Sequence, residues 1–177
     1  MTFEIWILDQ LQRGSNPILD KFWVAITHLG DGGILFILLA VFLMVFKSTR
    51  KVGFMCLLSI LIGALLTNGL LKNLVQRSRP FTQTDISLLI KAPNDFSFPS
   101  GHTTASFAFA FVMMKTNFKR MGVPIAYLSL FLASLIAFSR LYLYVHYPSD
   151  ILAGLVIAFL ASYVAYELVE KRNIIKF

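Results

Sequence analysis

The chain has 177 residues, 57% of them apolar and only 14% charged, with a mean hydropathy of +0.73. Soluble domains carry about 25% charged residues, so this balance excludes an ordinary soluble domain and indicates an integral membrane protein. The net charge of +7 points to anionic lipid contact and topology signals, not to nucleic acid.

The length suits a single membrane domain over residues 1–177. Residues 1–12 carry Glu4 and Asp9 and no basic n-region, so no cleavable signal peptide is expected. Cys56 is the one cysteine. It cannot form an intrachain disulfide, and it reads as a small packing residue.

In chain order, residues 3–12 form an amphipathic interfacial helix with Trp6 at headgroup level. Asn16-Pro17 opens a second short helix to about Thr27. Residues 1–30 therefore lie on the membrane or add a segment to it. A glycine-rich break, His28 to Gly33, follows, and Asp31 is placed to cap the next helix. The first span runs from about Asp31 to Phe46, the second from Val52 to about Gln76. A polar loop, Arg77 to Phe98, leads to a third span from Ser100 to about Met114. The fourth is Val123 to about Leu141 and the fifth Pro148 to about Glu167. The fold class is an all-α polytopic membrane bundle with five to six membrane segments and an N-terminal interfacial helix.

Nine of the sixteen basic residues fall in three clusters, Lys47–Lys51, Lys115–Arg120 and Lys171–Lys176. Five spans put all three on one side, which the positive-inside rule makes cytoplasmic. The polar inserts then share the opposite, non-cytoplasmic face.

Those inserts carry the chemistry. Charged groups between membrane-length apolar runs are costly unless they line a wet cavity or the bilayer surface. Lys72 ends the second span, and Arg79-Pro80 follows seven residues later. Proline stops the helix, so Arg79 can turn back beside Lys72, where guanidinium and ammonium both suit phosphate oxygens. Arg77 reads more simply as a snorkelling cation. Pro99-Ser100-Gly101-His102 is a helix start. Its free amides and close backbone approach suit an anion, and His102 sits in the first turn. Taken alone, it could equally be an ordinary cap.

Ser139-Arg140-x5-His146-x3-Asp150 is a second helix start. Asp150 can hold the proton-bearing nitrogen of His146 and leave the other free as a nucleophile, while Arg140 adds a third cation. Cations, two histidines, a carboxylate and helix N-termini are what phosphoryl transfer through a covalent histidine needs. No Cys, His or carboxylate cluster has metal-ligand spacing, so no metal or other cofactor is expected.

The three motifs, Lys72-x6-Arg79-Pro80, Pro99-Ser100-Gly101-His102 and Ser139-Arg140-x5-His146-x3-Asp150, resemble the signatures of the type 2 phosphatidate phosphatase superfamily. The resemblance covers about residues 60–166, the motif-bearing core. It implies His146 as nucleophile, Asp150 as its orienting group and His102 as general acid. Lys72, Arg79, Ser100, Gly101 and Arg140 would bind the phosphate. Small bacterial members act on undecaprenyl diphosphate, phosphatidylglycerophosphate or phosphatidate, so a membrane lipid phosphate is the implied partner. Vanadate is expected to inhibit as a phosphate mimic.

The rival readings are a lipid-linked phosphotransferase and a non-catalytic lipid-phosphate binding or transport protein. No sequence feature fixes the lipid or the oligomeric state. His28, on the site side, reads as a capping or solvated residue ahead of a substrate contact, and Asn68 as a partner of Lys72 or an interhelical bond. Asp85, Lys91 and Asp95 read as solvated loop charges. Phe107, Phe109 and Phe111 read as lipid-facing or packing, and Tyr142, Tyr144 and Tyr147 as an interface belt.

Overall fold

The computed structural model describes residues 2–116 and 124–171, and these are all-helical apart from turns and loops. Lys119, Arg120, Val123, Arg172 and Lys176, used in the span and charge reading, lie outside the described residues.

Helix α1 (Phe3–Arg13) turns Ile5 and Leu8 inward and leaves Phe3 and Trp6 exposed. Helix α2 (Pro17–His28) is capped by Asn16, whose side-chain oxygen accepts the Ile18 and Leu19 amides at 3.1 Å. Proline takes the first helical position, where a missing N–H costs nothing. A short 3-10 turn (Asp31–Gly33) leads into α3 (Ile34–Val45). Gly32 and Gly33 have φ of 59° and 69° there, a region that side chains resist. Asp31 does not cap α3. The cap position is Gly33 and no side chain bonds there, because Asp31 faces the cavity described below.

Helix α4 (Arg50–Ala64) continues through a π-helical stretch (Leu65–Leu71) into α5 (Lys72–Val75). The Lys72 amide donates to the Thr67 carbonyl, five residues back. Such π-turns rotate the residues that follow and recur at functional sites. Gln76, at φ 49°, ends the helix.

Helix α6 (Gly101–Lys115) is central. It packs against α4, α7 (Pro124–Tyr142) and α8 (Pro148–Tyr166), while α3 packs on α4 and α2 on α7. Small residues allow the close approach. A Cβ on Gly53 would lie 2.5 Å from the Ala40 carbonyl oxygen, and one on Gly154 would lie 3.0 Å from that of Ser100. Cys56, Phe107 and Phe109 are buried in this core.

Among the described residues, four stretches are long and apolar enough to cross a membrane: Pro17–Val45, Arg50–Gln83, Ile125–Tyr142 and Pro148–Lys171. The chain is a multi-pass membrane protein. Helix α6, expected as a span, has 15 residues. That is about 22 Å of helix, less than the roughly 30 Å of a hydrocarbon core.

The described members of the three basic clusters gather at one end of the bundle. Lys51 pairs with Glu170 at 2.9 Å, and Lys115 lies over the rings of Tyr163 and Tyr166 at 4.1 and 4.4 Å. The polar inserts lie at the other end of the same helices.

Candidate active site

The three inserts meet around a cavity of about 540 Å³, within the usual size of a small-ligand site. Lys72, Arg79, Gly101, His102, Arg140 and His146 line it. Ser100 and Asp150 stand behind the wall, fully buried.

The turn that carries His146 is built by the end of α7. The Val145 amide donates to the Arg140 carbonyl at 3.2 Å, and the Tyr144 amide to that of Leu141 at 3.0 Å. This is a Schellman ending, whose left-handed position is usually glycine. Here it is Tyr144, at φ 59°. Its ring is buried and its hydroxyl donates to Asp9 at 2.7 Å, so packing by α1 holds an unfavourable backbone in place.

Asp150 is reached by four donors. Oδ2 accepts from the Ser97 hydroxyl at 2.5 Å, the Tyr147 amide at 2.9 Å and, more loosely, His146 Nδ1 at 3.4 Å. Oδ1 accepts from Arg77 Nη1 at 2.7 Å. A buried carboxylate so satisfied stays ionised and fixed. Arg77 also donates to Glu4 and to the Ser149 hydroxyl, both at 2.6 Å, and its guanidinium lies 3.7 Å over the Tyr147 ring. It does not snorkel, because the buried Asp150 offers a better partner than headgroups.

Arg79 Nη1 donates to His146 Nε2 at 3.3 Å and to the Val145 carbonyl at 2.7 Å. Arginine can only donate, so Nε2 carries a lone pair and the ring proton sits on Nδ1, toward Asp150. Burial first, then the charges of Arg79 and Arg140, push the His146 pKa down to about 3 against the pull of Asp150.

Asp95 is not a solvated loop charge. It pairs with Lys72 Nζ, and its Oδ1 accepts from Arg79 Nη2 at 2.6 Å. Burial opposes its ionisation, but Lys72 and Arg79 outweigh that and hold its pKa at about 2. Arg140 Nη1 donates to the Thr27 hydroxyl at 2.6 Å, while Arg140 Nε is buried with no partner among the described residues. An unpartnered buried donor on this wall suits an incoming anion.

Ser100 caps α6, accepting the Thr103 amide at 3.4 Å, so its role here is to shape the helix start. Asn68 lies over Gly101, at 3.4 Å from the position a Cβ would take, and lines the cavity. His102 and His28 both bond Asp31, at 3.0 and 2.7 Å. The tyrosines form no belt: Tyr142, Tyr144 and Tyr147 are buried, and the Tyr142 hydroxyl donates to Asp20 at 2.7 Å. Sequence reasoning missed Ser97, Arg77, Asp95 and Asp31 as site partners. Only the His28-x-x-Asp31 spacing and the lack of a cation for Asp150 hinted at any of them.

Fold and site together define a multi-pass helical membrane protein with a cationic pocket around a buried histidine. The chain belongs to the PAP2 superfamily, whose family model matches residues 53–174. It is 31% identical over 166 residues to the undecaprenyl-diphosphatase BcrC of Bacillus subtilis (strain 168), covering 94% of this chain and 83% of that protein. Aquifex aeolicus LpxE has a similar structure, with a TM-score of 0.79 and 27% identity, over 94% of this chain and 96% of that one. So does a transmembrane PAP2-type phosphatidylglycerolphosphate phosphatase from Bacillus subtilis, with a TM-score of 0.76 and 25% identity, over 98% of this chain and 87% of that one.

Proposed function

We infer that this chain is a lipid phosphatase that removes phosphate from a membrane lipid phosphate or diphosphate through a phosphohistidine. The observation that carries the mechanism is His146, a buried neutral imidazole whose Nε2 lies at a cavity walled by Lys72, Arg79 and Arg140. Those cations neutralise the phosphoryl oxygens, and the Gly101 backbone at the α6 N-terminus adds to them. Ser100 sets that helix start. Nε2 attacks phosphorus, Asp150 steadies the Nδ1–H, and His102 protonates the leaving oxygen. Water then hydrolyses the phosphohistidine.

The whole chain acts as one unit, since α1, α2 and the Asp31 turn all contact site residues. Five spans, with α6 as the short central one, put the basic end in the cytoplasm and the cavity on the outer face. The relatives' names make undecaprenyl diphosphate and phosphatidylglycerophosphate the leading candidate substrates, with phosphatidate a third.

The test is phosphate release by detergent-purified protein in excess chelator, from those three lipids and a soluble phosphate ester. Release from at least one lipid, lost in a folded His146→Ala variant, is the expected result. Lipid binding without release would instead make this a binding protein. Transfer to an added acceptor in place of water would make it a phosphotransferase.

A further inference from the structure

The phosphatase reading leaves His28 and Asp31 unused, although both line the cavity. Asp31 joins two imidazoles: Oδ1 meets His102 Nε2 at 3.0 Å and Oδ2 meets His28 Nδ1 at 2.7 Å. A carboxylate only accepts, so it fixes a proton on each of those nitrogens. Close packing holds the arrangement. A Cβ on Gly30 would lie 2.7 Å from His102 Cδ2, and one on Gly33 would lie 3.1 Å from the Ala105 Cβ. The Nε2–Cδ2 edge of His102 therefore faces the Gly30-Asp31 turn. The opposite edge carries Nδ1, which makes no hydrogen bond among the described residues.

We propose that Asp31 is the positioning residue for His102, holding Nε2–H so that Nδ1 delivers the proton to the leaving oxygen. This rests on the leaving-group role given to His102 above. With the anionic substrate bound beside it, His102 takes a proton from solvent on Nδ1, and the Asp31 carboxylate balances that imidazolium against the charge of Arg140. As the His146 Nε2–phosphorus bond forms and the phosphorus–oxygen bond breaks, the Nδ1 proton passes to the departing lipid oxygen. His102 is left neutral, with its remaining proton still directed at Asp31. When water attacks the phosphohistidine, Nδ1 takes the proton of that water and the cycle closes. His28 steadies the outer oxygen of Asp31 and is exposed, so its share is small.

The experiment compares kcat/KM on two soluble phosphate monoesters, one with an alkyl leaving group and one with p-nitrophenol. The second needs little protonation as it leaves. General acids are worth about 10²- to 10⁴-fold, so His102→Ala is expected to lose that much on the alkyl ester and far less on the aryl ester. Asp31→Asn, nearly isosteric, is expected to lose about tenfold on the alkyl ester and little on the aryl ester. In a His102→Ala background, Asp31→Asn is expected to add no further loss, as for residues acting through one group. Asp31→Glu keeps the carboxylate and is expected to recover part of the alkyl activity, which also serves if Asp31→Asn folds poorly. Equal losses on both esters in Asp31→Asn, with the selective loss intact in His102→Ala, would overturn this inference alone. No selectivity in His102→Ala would overturn both it and the acid role of His102.

Discussion

Asp95 occupies two of the four cations that line the cavity, because its carboxylate bridges Lys72 and Arg79. An anion entering the site has to displace it. Asp95 is about half exposed, so the bridge is screened and worth only about 1 kcal/mol. Asp95→Asn is therefore expected to tighten competitive inhibition by vanadate roughly fivefold, measured as Ki; an unchanged or weaker Ki would mean the carboxylate does not compete. His146 gives a pH signature. Its folded pKa of about 3 lies below the ordinary histidine value, chiefly through burial. The unfolded chain then binds a proton that the folded chain refuses, so stability present above about pH 6.5 falls away as the pH drops toward 3. Thermal melting in detergent is expected to show a smaller fall between pH 7 and pH 4 in His146→Gln than in the parent. Equal falls would show that His146 is not held neutral by the fold.

At the scale of elements, much was legible and the misses share one cause. The helix starts at Pro17, Gly101 and Pro148 follow their cap and proline signals closely. The ends of α5 and α7 do not. Gln76 and Tyr144 both take left-handed backbone, where sequence reasoning looks for glycine. Tyr144 is held there by its bond to Asp9 and its burial against α1, contacts 135 residues apart in sequence. The same applies at the site. The six cavity-lining motif residues could be named because each motif is local. Asp31, Arg77, Asp95 and Ser97 act through partners on other elements, and a carboxylate in a polar loop looks solvated until the fold brings a cation to it. Asp31 illustrates this well. Its position before an apolar run suited a cap, but two left-handed glycines turn it toward His102 instead.

Over the whole molecule, polar and basic ends are separated along the same helices, and the N-terminal segment up to Asp31 packs onto the site rather than lying beside it. Glu4, Asp9, Asp20, Thr27 and Asp31 each bond a residue in or next to the motifs. The carboxylates of Glu4, Asp9, Asp20 and Asp31 all face the site end of the bundle. The proposed orientation can be checked with single cysteines, since native Cys56 is fully buried. A membrane-impermeant maleimide added to intact cells is expected to label Asp85→Cys in the site-end loop and to spare Ser48→Cys in the basic turn. The reverse pattern would invert the topology. The chemistry itself is tested most directly by trapping the intermediate. Protein mixed with ³²P-labelled substrate and quenched within milliseconds in alkali should carry an alkali-stable, acid-labile label on the peptide that contains His146. That label should be absent in His146→Ala and accumulate in variants slowed at the hydrolysis step. Steady release of phosphate with no label on His146, or the same label on another residue, would contradict the assignment of His146 as the nucleophile.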